Sequence, residues 1–308
     1  MRVLRLGTRG SPLALWQAGY VADRLKENFP GLNIDVRVIS TTGDKILDVA
    51  LAKIGDKGLF TKEIEHALLA GEIDFAVHSM KDLPSALTPG LGIAAIMERE
   101  AAEDALVARQ APNLSALPPG ARLGTSSLRR GSQLKAFRPD FQIVEIRGNV
   151  DTRLRRMEEL ALDGVLLAAA GLRRLGLAGR ITELLTPDVV LPAVGQGALG
   201  VETRQGDRVV QDLISVLNHP ASAVCVKMER SFLSALGGGC QTPAAALGSV
   251  QAEHLVLDGL IASLDGRQVL RGSMICNWDD AESTGTRLAE QLLSQGGREM
   301  LGGLRVES

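Results

Sequence analysis

The N-terminal part of the chain alternates between strand and helix patterns. Strands are predicted over residues 3–6 and 34–38, with a turn over residues 7–10. Ser11 is a suitable N-cap and Pro12 a suitable first residue for a helix between them. Apolar residues recur along that helix at helical spacing, namely Leu13, Trp16, Tyr20, Val21 and Leu25. This strand–helix–strand unit predicts parallel strands joined by a right-handed crossover.

A charged pair follows the next strand pattern. Residues 73–77 alternate between apolar and polar side chains, which predicts a half-buried strand. Lys81 and Asp82 come shortly after it, and Pro84 disfavours helix at the residue before it. In open α/β sheets, ligands bind at the carboxyl ends of the strands. Lys81 and Asp82 are therefore candidate site residues, although Asp82 could equally serve as an ordinary turn carboxylate.

The segments around that pair complete the first predicted domain. A helix is predicted over residues 60–70, with Thr61 at its start, and a strand over residues 91–97. Residues 41–58 combine glycines with aspartates and lysines. A mobile lid over a site and a solvated surface loop explain that composition equally well.

A four-residue sequence occurs twice. Residues 5–8 and residues 122–125 both read Arg-Leu-Gly-Thr, and each copy is followed within a few residues by a serine and a helix pattern. A further strand is predicted over residues 143–146, then a turn over 147–149, a helix from about residue 150 and a strand over 165–169. The shared context predicts a duplicated strand–turn–helix architecture.

Two breaks in the pattern suggest where the chain crosses between domains. The first is the charged stretch 98–104, and the second is the glycine-rich stretch 191–198, after which a short strand is predicted over residues 199–202. We expect the chain to return there to the first domain, which would create a hinged cleft between two lobes. The expected domains are residues 1–98 with 198–217, residues 99–197, and residues 218–308.

The last predicted domain is small and of α+β type. A helix is predicted over residues 221–235, followed by three glycines and Cys240. Three strands follow, with a hairpin turn at Asp265-Gly266, and then a helix over residues 281–294 that ends at Gly296-Gly297. The strands are predicted over residues 244–247, 254–262 and 268–276.

Composition narrows the classes of function. The 308-residue chain is 45% hydrophobic with a net charge of −2 and only 3% aromatic residues, so neither a polycation nor a base-stacking surface for nucleic acid is expected. No apolar run approaches the roughly 20 residues of a membrane span, and the sequence starts directly with a strand pattern. The three cysteines are far apart, which favours neither disulfides nor a metal site and suggests the cytoplasm.

Basic residues cluster in the second predicted domain, where few acidic residues accompany them between residues 122 and 156. Arginine suits carboxylates and phosphates because its planar fork can bond two oxygens at once. Arg155 and Arg156 are expected on a solvated helix face. Other arginines lie at turns before helices, where free backbone N–H groups also attract anions, and these favour a polyanionic ligand: Arg9, Arg129, Arg130 and Arg147.

Cys240 differs from the other two cysteines in its setting. Cys225 and Cys276 fall within a predicted helix and strand, as buried cysteines usually do. Cys240 follows three glycines, which suggests an exposed sulfur that acts as a nucleophile or carries a covalent group. A cysteine hydrolase would need a partner imidazole, and only His78 has a suggestive position.

Six segments together resemble the porphobilinogen deaminase (hydroxymethylbilane synthase) family, and the likeness covers essentially the whole chain. Gly237 and Asp56 depart from the family pattern, which affects the expected loop flexibility and lid position. The segments are residues 8–14, 53–60, 78–82, 124–130, 147–150 and 238–240.

The resemblance implies a fold, a reaction and a cofactor. The fold would be two βα lobes resembling type II periplasmic binding proteins, plus a small α+β C-terminal domain. The enzyme would be a monomeric transferase of porphyrin and heme biosynthesis that joins four porphobilinogen molecules into hydroxymethylbilane and releases ammonia. The chain would grow on a dipyrromethane primer. The alternative is a non-enzymatic two-lobe anion-binding protein, which would leave Asp82 and Cys240 unexplained.

The resemblance also implies residue roles, with no metal. Asp82 would be the catalytic carboxylate, Cys240 would hold the cofactor through a thioether, and Lys53 and Lys57 would lie on a lid. Cofactor binding would fall to Lys81, Thr125, Ser127, Arg129, Arg130 and Gly148. Substrate binding would fall to Arg9, Ser11, Arg147, Arg153 and Arg174.

Overall fold

The computed structural model describes residues 3–45, 61–238 and 242–306 of the chain. Its strands form three sheets, and helices cover the faces of these sheets. The described strands are β1 (Leu4–Thr8), β2 (Ile34–Val38), β3 (Phe75–Ser79), β4 (Leu91–Ile96), β5 (Asp104–Ala108), β6 (Arg122–Gly124), β7 (Gln142–Val144), β8 (Gly164–Ala168), β9 (Glu183–Leu185), β10 (Leu199–Arg204), β11 (Ala244–Gln251), β12 (His254–Ala262) and β13 (Val269–Cys276). The described α-helices are α1 (Pro12–Asn28), α2 (Thr42–Lys45), α3 (Lys62–Leu69), α4 (Leu128–Phe137), α5 (Val150–Glu159), α6 (Ala169–Arg174), α7 (Arg208–Ser215), α8 (Pro220–Ala235), α9 (Ala281–Leu292) and α10 (Arg298–Val306).

The first two sheets are built alike. Their strand orders are β2-β1-β3-β10-β4 and β7-β6-β8-β5-β9. In each sheet the first three strands of that order are parallel, and the fourth runs antiparallel to its neighbours. Since β10 follows the second sheet in the sequence but pairs within the first, the chain does return to the first lobe. The two βα lobes and the duplication are thereby confirmed, whereas the domain boundaries given above stay predictions.

The repeated Arg-Leu-Gly-Thr sequence has the same structural reason in both lobes. The backbone N–H of Arg5 donates to Asp74 Oδ2 at 2.8 Å, and that of Arg122 donates to Asp163 Oδ2 at 2.7 Å. A Cβ on the glycine of either copy would overlap apolar side chains of the core, such as Ile73 beside the first copy. The repeat therefore preserves a hydrogen bond near the start of the strand and a close approach between the strand and the core.

One feature of the fold differs from the sequence-based expectations. The charged break predicted over residues 98–104 is wrong at its last residue, because Asp104 opens a buried strand, β5. The strand predicted over residues 34–38 is present as β2, at the edge of its sheet, where Val36 and Val38 are exposed. The helix predicted to end at Gly296-Gly297 is interrupted at Gly296, whose φ is +112°, and a separate helix, α10, follows.

The third sheet, β11-β12-β13, packs against α8 and α9 and is fastened to the crossing segments. Glu229 of α8 is fully buried and pairs with Arg99. The two oxygens of this carboxylate also accept the backbone N–H groups of Gly195 and Gly248, each at 2.7 Å. One buried carboxylate thus joins both crossings to the third sheet.

Among the described helices, none is by itself long and apolar enough to cross a bilayer. Taken together, α7 and α8 would pass on length and composition, but they meet at a bend of 114°.

Candidate active site

Lys81 and Asp82 lie on a short 3₁₀ turn, Met80–Asp82, that directly follows β3. Asp82 is exposed and Lys81 is half-buried. Two cavities meet at this turn, one of about 650 Å³ between the two lobes and one of about 780 Å³ that extends towards the third sheet. Both cavities are lined by Lys81, Asp82 and Arg130. The predicted position at the carboxyl end of a strand is therefore correct.

The cavity between the lobes is strongly basic. Asp82 is the only acidic side chain among its described lining residues. Both lobes contribute cations, so the positive potential is greatest where they face each other. The basic residues that line it are Arg9, Lys81, Arg130, Arg147, Arg153 and Arg174.

Local hydrogen bonds hold the arginines of this cavity in place. Arg147 donates to Glu145 Oε1 from Nε at 2.9 Å and from Nη2 at 2.7 Å. Arg153 Nε donates to the Gly148 carbonyl oxygen at 2.8 Å, and Arg174 Nη2 donates to that of Gly197 at 2.7 Å. These bonds fix the directions of the three guanidinium groups, all of which line the cavity between the lobes.

Burial changes the proton affinity of three cations at this site. It lowers the pKa of Lys81 to about 8, although the nearby Asp82 opposes the shift. It lowers the pKa of Arg153 to about 10, an effect to which the positive charge of Arg130 contributes, and it lowers the pKa of Arg174. Crowding like charges away from water favours binding of an anionic ligand that would neutralise them.

The start of α4 and the residues just before it supply four of the residues predicted to hold the cofactor. Ser127 is the N-cap and accepts the backbone N–H of Arg130, and Thr125 Oγ1 accepts the backbone N–H of Ser127 at 3.2 Å. Arg129 and Arg130 are both buried. Ser127, Arg129 and Arg130 line the larger cavity, whereas the predicted Gly148 lines the cavity between the lobes.

Asp104, which the sequence did not single out, anchors both of these arginines. Arg129 Nη1 donates to Asp104 Oδ2 at 2.6 Å, while Arg130 donates to Oδ1 from Nε at 2.9 Å and from Nη2 at 2.6 Å. Burial alone would raise the pKa of this carboxyl, but the two guanidinium groups outweigh it and hold the pKa well below its usual range. Acidic residues are few between residues 122 and 156, but Asp104, which lies before that range, pairs with two of its arginines. The sequence feature that could have identified Asp104 is its position directly before the apolar residues 105–108.

The residues predicted to attach the cofactor and to form the lid lie outside the described residues. Cys240, Lys53 and Lys57 all lie in the gaps of the described ranges. The residues closest to Cys240 that are described, Gly238 and Thr242, line the larger cavity together with Lys81 and Asp82.

His78 and Cys225 are buried, and their surroundings are those of side chains that support the fold. His78 is buried, and its Nε2 lies 3.1 Å from Glu202 Oε2 on the neighbouring strand β10. Cys225 is also buried, and burial raises the pKa of its thiol to about 11. These contacts offer no support for a cysteine hydrolase.

Sequence reasoning missed further polar residues around the two cavities. Gln17, within the apolar stripe of α1, donates from Nε2 to Ser79 Oγ at 2.9 Å, and both residues line the cavity between the lobes. Arg230 of α8 donates to the carbonyl oxygens of Pro84 and Ser85 at 2.6 and 3.0 Å. It thereby ties the segment after Asp82 to the helix that precedes Cys240. No local pattern marks these residues, because their partners are distant in sequence.

Comparison with known proteins gives a consistent result over nearly the whole chain. Residues 4–212 match the family model described as porphobilinogen deaminase, dipyrromethane cofactor binding domain, and residues 223–294 match that of the porphobilinogen deaminase C-terminal domain. The porphobilinogen deaminase of Syntrophomonas wolfei is 56% identical over 98% of this chain and 98% of its own length. That of Pelobacter propionicus is 52% identical over 97% of this chain and 96% of its own length.

Solved structures with a similar shape are more distant. A periplasmic solute-binding protein from Desulfovibrio salexigens is 10% identical and superposes with a TM-score of 0.43, covering 70% of this chain and 72% of that one. A likeness this weak says nothing about function. The matched domains and the identities over nearly the full length identify the family instead. The chain belongs to the porphobilinogen deaminase family.

Proposed function

We propose that this protein is a transferase that joins four porphobilinogen molecules into the linear tetrapyrrole hydroxymethylbilane, with release of ammonia. The observation that carries the proposal is the cavity between the lobes, where six basic side chains and one carboxylate, that of Asp82, are found among the described lining residues. Each porphobilinogen has an acetate and a propionate group, so a growing chain is a growing polyanion. A protein with a net charge of −2 needs such a local cluster to bind it.

Asp82 is the catalytic carboxylate in this proposal. When the C–N bond of the protonated aminomethyl group of porphobilinogen breaks, the bonding pair departs with nitrogen as ammonia, and the methylene stays on the pyrrole ring, over which the positive charge spreads. A carboxylate at the exposed end of β3 can stabilise that cation and accept the pyrrole N–H. Arg9, Ser11, Arg147, Arg153 and Arg174 would hold the carboxylates of the incoming molecule.

The larger cavity suits the dipyrromethane named by the matched family model. Its volume is about 780 Å³, its lining includes Arg129 and Arg130, and it reaches the residues on both sides of the segment that contains Cys240. A dipyrromethane bound there would supply a terminal pyrrole carbon as the nucleophile that starts the chain. We propose a thioether at Cys240, with Lys81, Thr125, Ser127, Arg129, Arg130 and Gly148 holding the cofactor.

The proposal has four further parts. A monomeric state and a lid that carries Lys53 and Lys57 rest on the family resemblance, whereas a cytoplasmic location and the division into the three domains given above rest on the sequence itself. Size-exclusion chromatography with light scattering would test the first of these.

Intact-mass spectrometry of the purified chain tests the central proposal. We expect the added mass of a dipyrrole in the wild type and in Cys276→Ala, and no added mass in Cys240→Ala. An active chain without added mass, or a Cys240→Ala chain that keeps it, would refute the thioether. Reversible porphobilinogen binding without ammonia release would instead indicate the anion-binding alternative.

A further inference from the structure

One aromatic side chain of the first lobe contacts an arginine of the second lobe beside the cavity between them. Trp16 lies on α1, and Arg174 is the last residue of α6. The guanidinium carbon of Arg174 lies 5.9 Å from the centroid of the Trp16 ring, which is within the reach of a cation–π contact. Because the two helices belong to different lobes, this contact joins the lobes.

The anchors of Arg174 differ from those of Arg153, which lines the same cavity. Arg153 Nε donates to the carbonyl oxygen of Gly148, a residue of its own lobe. Arg174 Nη2 instead donates to the carbonyl oxygen of Gly197 in the second crossing segment, and its guanidinium lies over a ring of the first lobe. The place of Arg174 at the cavity wall therefore depends on how the two lobes face each other.

The Trp16 ring is itself held in a defined place. It stacks on the ring of Tyr20, with the two centroids 5.2 Å apart and an angle of 10° between the planes, a favourable arrangement for an aromatic pair. The guanidinium carbon of Arg24 lies 5.5 Å from the centroid of the Tyr20 ring. Trp16 is 39% exposed and is not among the described residues that line the cavity between the lobes, so its effect on a ligand there would pass through Arg174.

We infer that Trp16 is a positioning residue, whose ring holds the guanidinium of Arg174 in place to bind a carboxylate of porphobilinogen. The inference rests on the proposed function and adds a residue to it. A planar guanidinium that is already oriented loses less freedom when it bonds a carboxylate. The hydrogen bond to Gly197 fixes one nitrogen of the fork, and the ring restricts the remaining freedom of its plane. Arg174 is half-buried, and a cation–π contact is stronger when the cation is partly desolvated.

The test compares Trp16→Leu with Trp278→Leu, both in protein that carries the dipyrrole. Trp278 is a matched control because it is also 39% exposed but lies on the short turn after β13. We expect the KM for porphobilinogen to rise about three- to tenfold in Trp16→Leu with kcat nearly unchanged, and to stay at the wild-type value in Trp278→Leu. Trp16→Phe keeps an aromatic ring, so its KM should stay within about twofold of the wild-type value. A KM in Trp16→Leu equal to that of the control would overturn the inference.

A double-mutant cycle tests whether Trp16 acts through Arg174. Arg174→Leu alone should raise KM more than Trp16→Leu does, and adding Trp16→Leu to it should raise KM by less than about twofold further. If the two factors multiply instead, Trp16 acts independently of Arg174 and the inference is wrong. A wild type that binds porphobilinogen without releasing ammonia would refute the proposed function but not the inference, which the same variants would then test through the Kd from equilibrium dialysis.

Discussion

The two lobes share a fold but present different side chains to the cleft. Each has the strand order second–first–third, an antiparallel fourth strand, and the same Arg-Leu-Gly-Thr sequence in its first strand. After its third strand, lobe 1 continues into Lys81 and Asp82, whereas lobe 2 continues into the buried residues Ala169 and Ala170. The scaffold repeats, whereas the proposed catalytic carboxylate follows the third strand of lobe 1 alone.

The antiparallel strand of each lobe carries a buried carboxylate with a different partner. In lobe 1, Glu202 of β10 pairs with His78. In lobe 2, Asp104 of β5 pairs with Arg129 and Arg130. Lobe 2 therefore holds fixed cations at the cleft, and lobe 1 contributes the exposed carboxylate. We propose that lobe 1 supplies the reaction chemistry and lobe 2 mainly holds the anionic ligand.

Removing the charge of Asp82 should have the largest effect on turnover. We expect Asp82→Asn to lower kcat by about 10²–10⁴-fold, the range typical of a lost catalytic acid or base. Its Tm should stay near that of the wild type, because the side chain is exposed. Steady-state kinetics and a thermal melt check both. Wild-type turnover in this variant would remove Asp82 from the mechanism.

Asp104→Asn should mainly affect stability. It leaves two buried guanidinium groups without their carboxylate, which typically costs about 3–5 kcal/mol. Asp140→Asn in the same lobe breaks a more exposed pair with Arg138 and should cost much less than Asp104→Asn. Urea unfolding measures both variants. Equal losses would show that burial of the Asp104 pair is unimportant.

The same carboxylate predicts a pH dependence of stability. Because the folded state holds the pKa of Asp104 below its usual range, its contribution is present above about pH 4 and is lost as the pH falls further. The urea midpoint of the wild type should therefore fall more steeply in acid than that of Asp104→Asn. Parallel curves would contradict this.

Arg147→Leu should weaken binding more than folding. The guanidinium lines the cavity between the lobes and is held by the exposed Glu145, so we expect KM for porphobilinogen to rise about tenfold or more with little change in Tm. Arg155→Leu, on the solvated face of α5, is the control and should leave KM unchanged. A loss of stability without a change in KM would make Arg147 a structural residue.

A smaller effect is expected from the titration of Lys81. Its folded pKa of about 8 lies below the usual value, so the charge that helps to bind carboxylates is lost as the pH rises through about 8. The KM for porphobilinogen should then increase about three- to tenfold in the wild type but stay level in Lys81→Arg, whose guanidinium remains charged. The penalty for burying the ammonium is relieved over the same range, so stability should not fall there.

Local patterns predicted much of the fold and part of the site. Periodicity and turn residues located the strand–helix units, and a repeated four-residue sequence exposed the duplication. Asp82 could be found because it directly follows a recognisable strand. Asp104 and Gln17 could not, since burial of a polar side chain depends on partners far along the chain. Arg129 and Arg130 lie 25 and 26 residues after Asp104, and Ser79 lies 62 residues after Gln17.

The proposal that lobe 1 supplies the chemistry and lobe 2 holds the ligand is tested most directly on protein that carries the dipyrrole, by following the covalent addition of pyrrole units. Intact-mass spectrometry after mixing with porphobilinogen would count each added unit. With saturating substrate we predict that Arg147→Leu gains units as the wild type does, whereas Asp82→Asn gains them at least a hundredfold more slowly. Units added to Asp82→Asn at the wild-type rate would contradict the assignment of the chemistry to lobe 1.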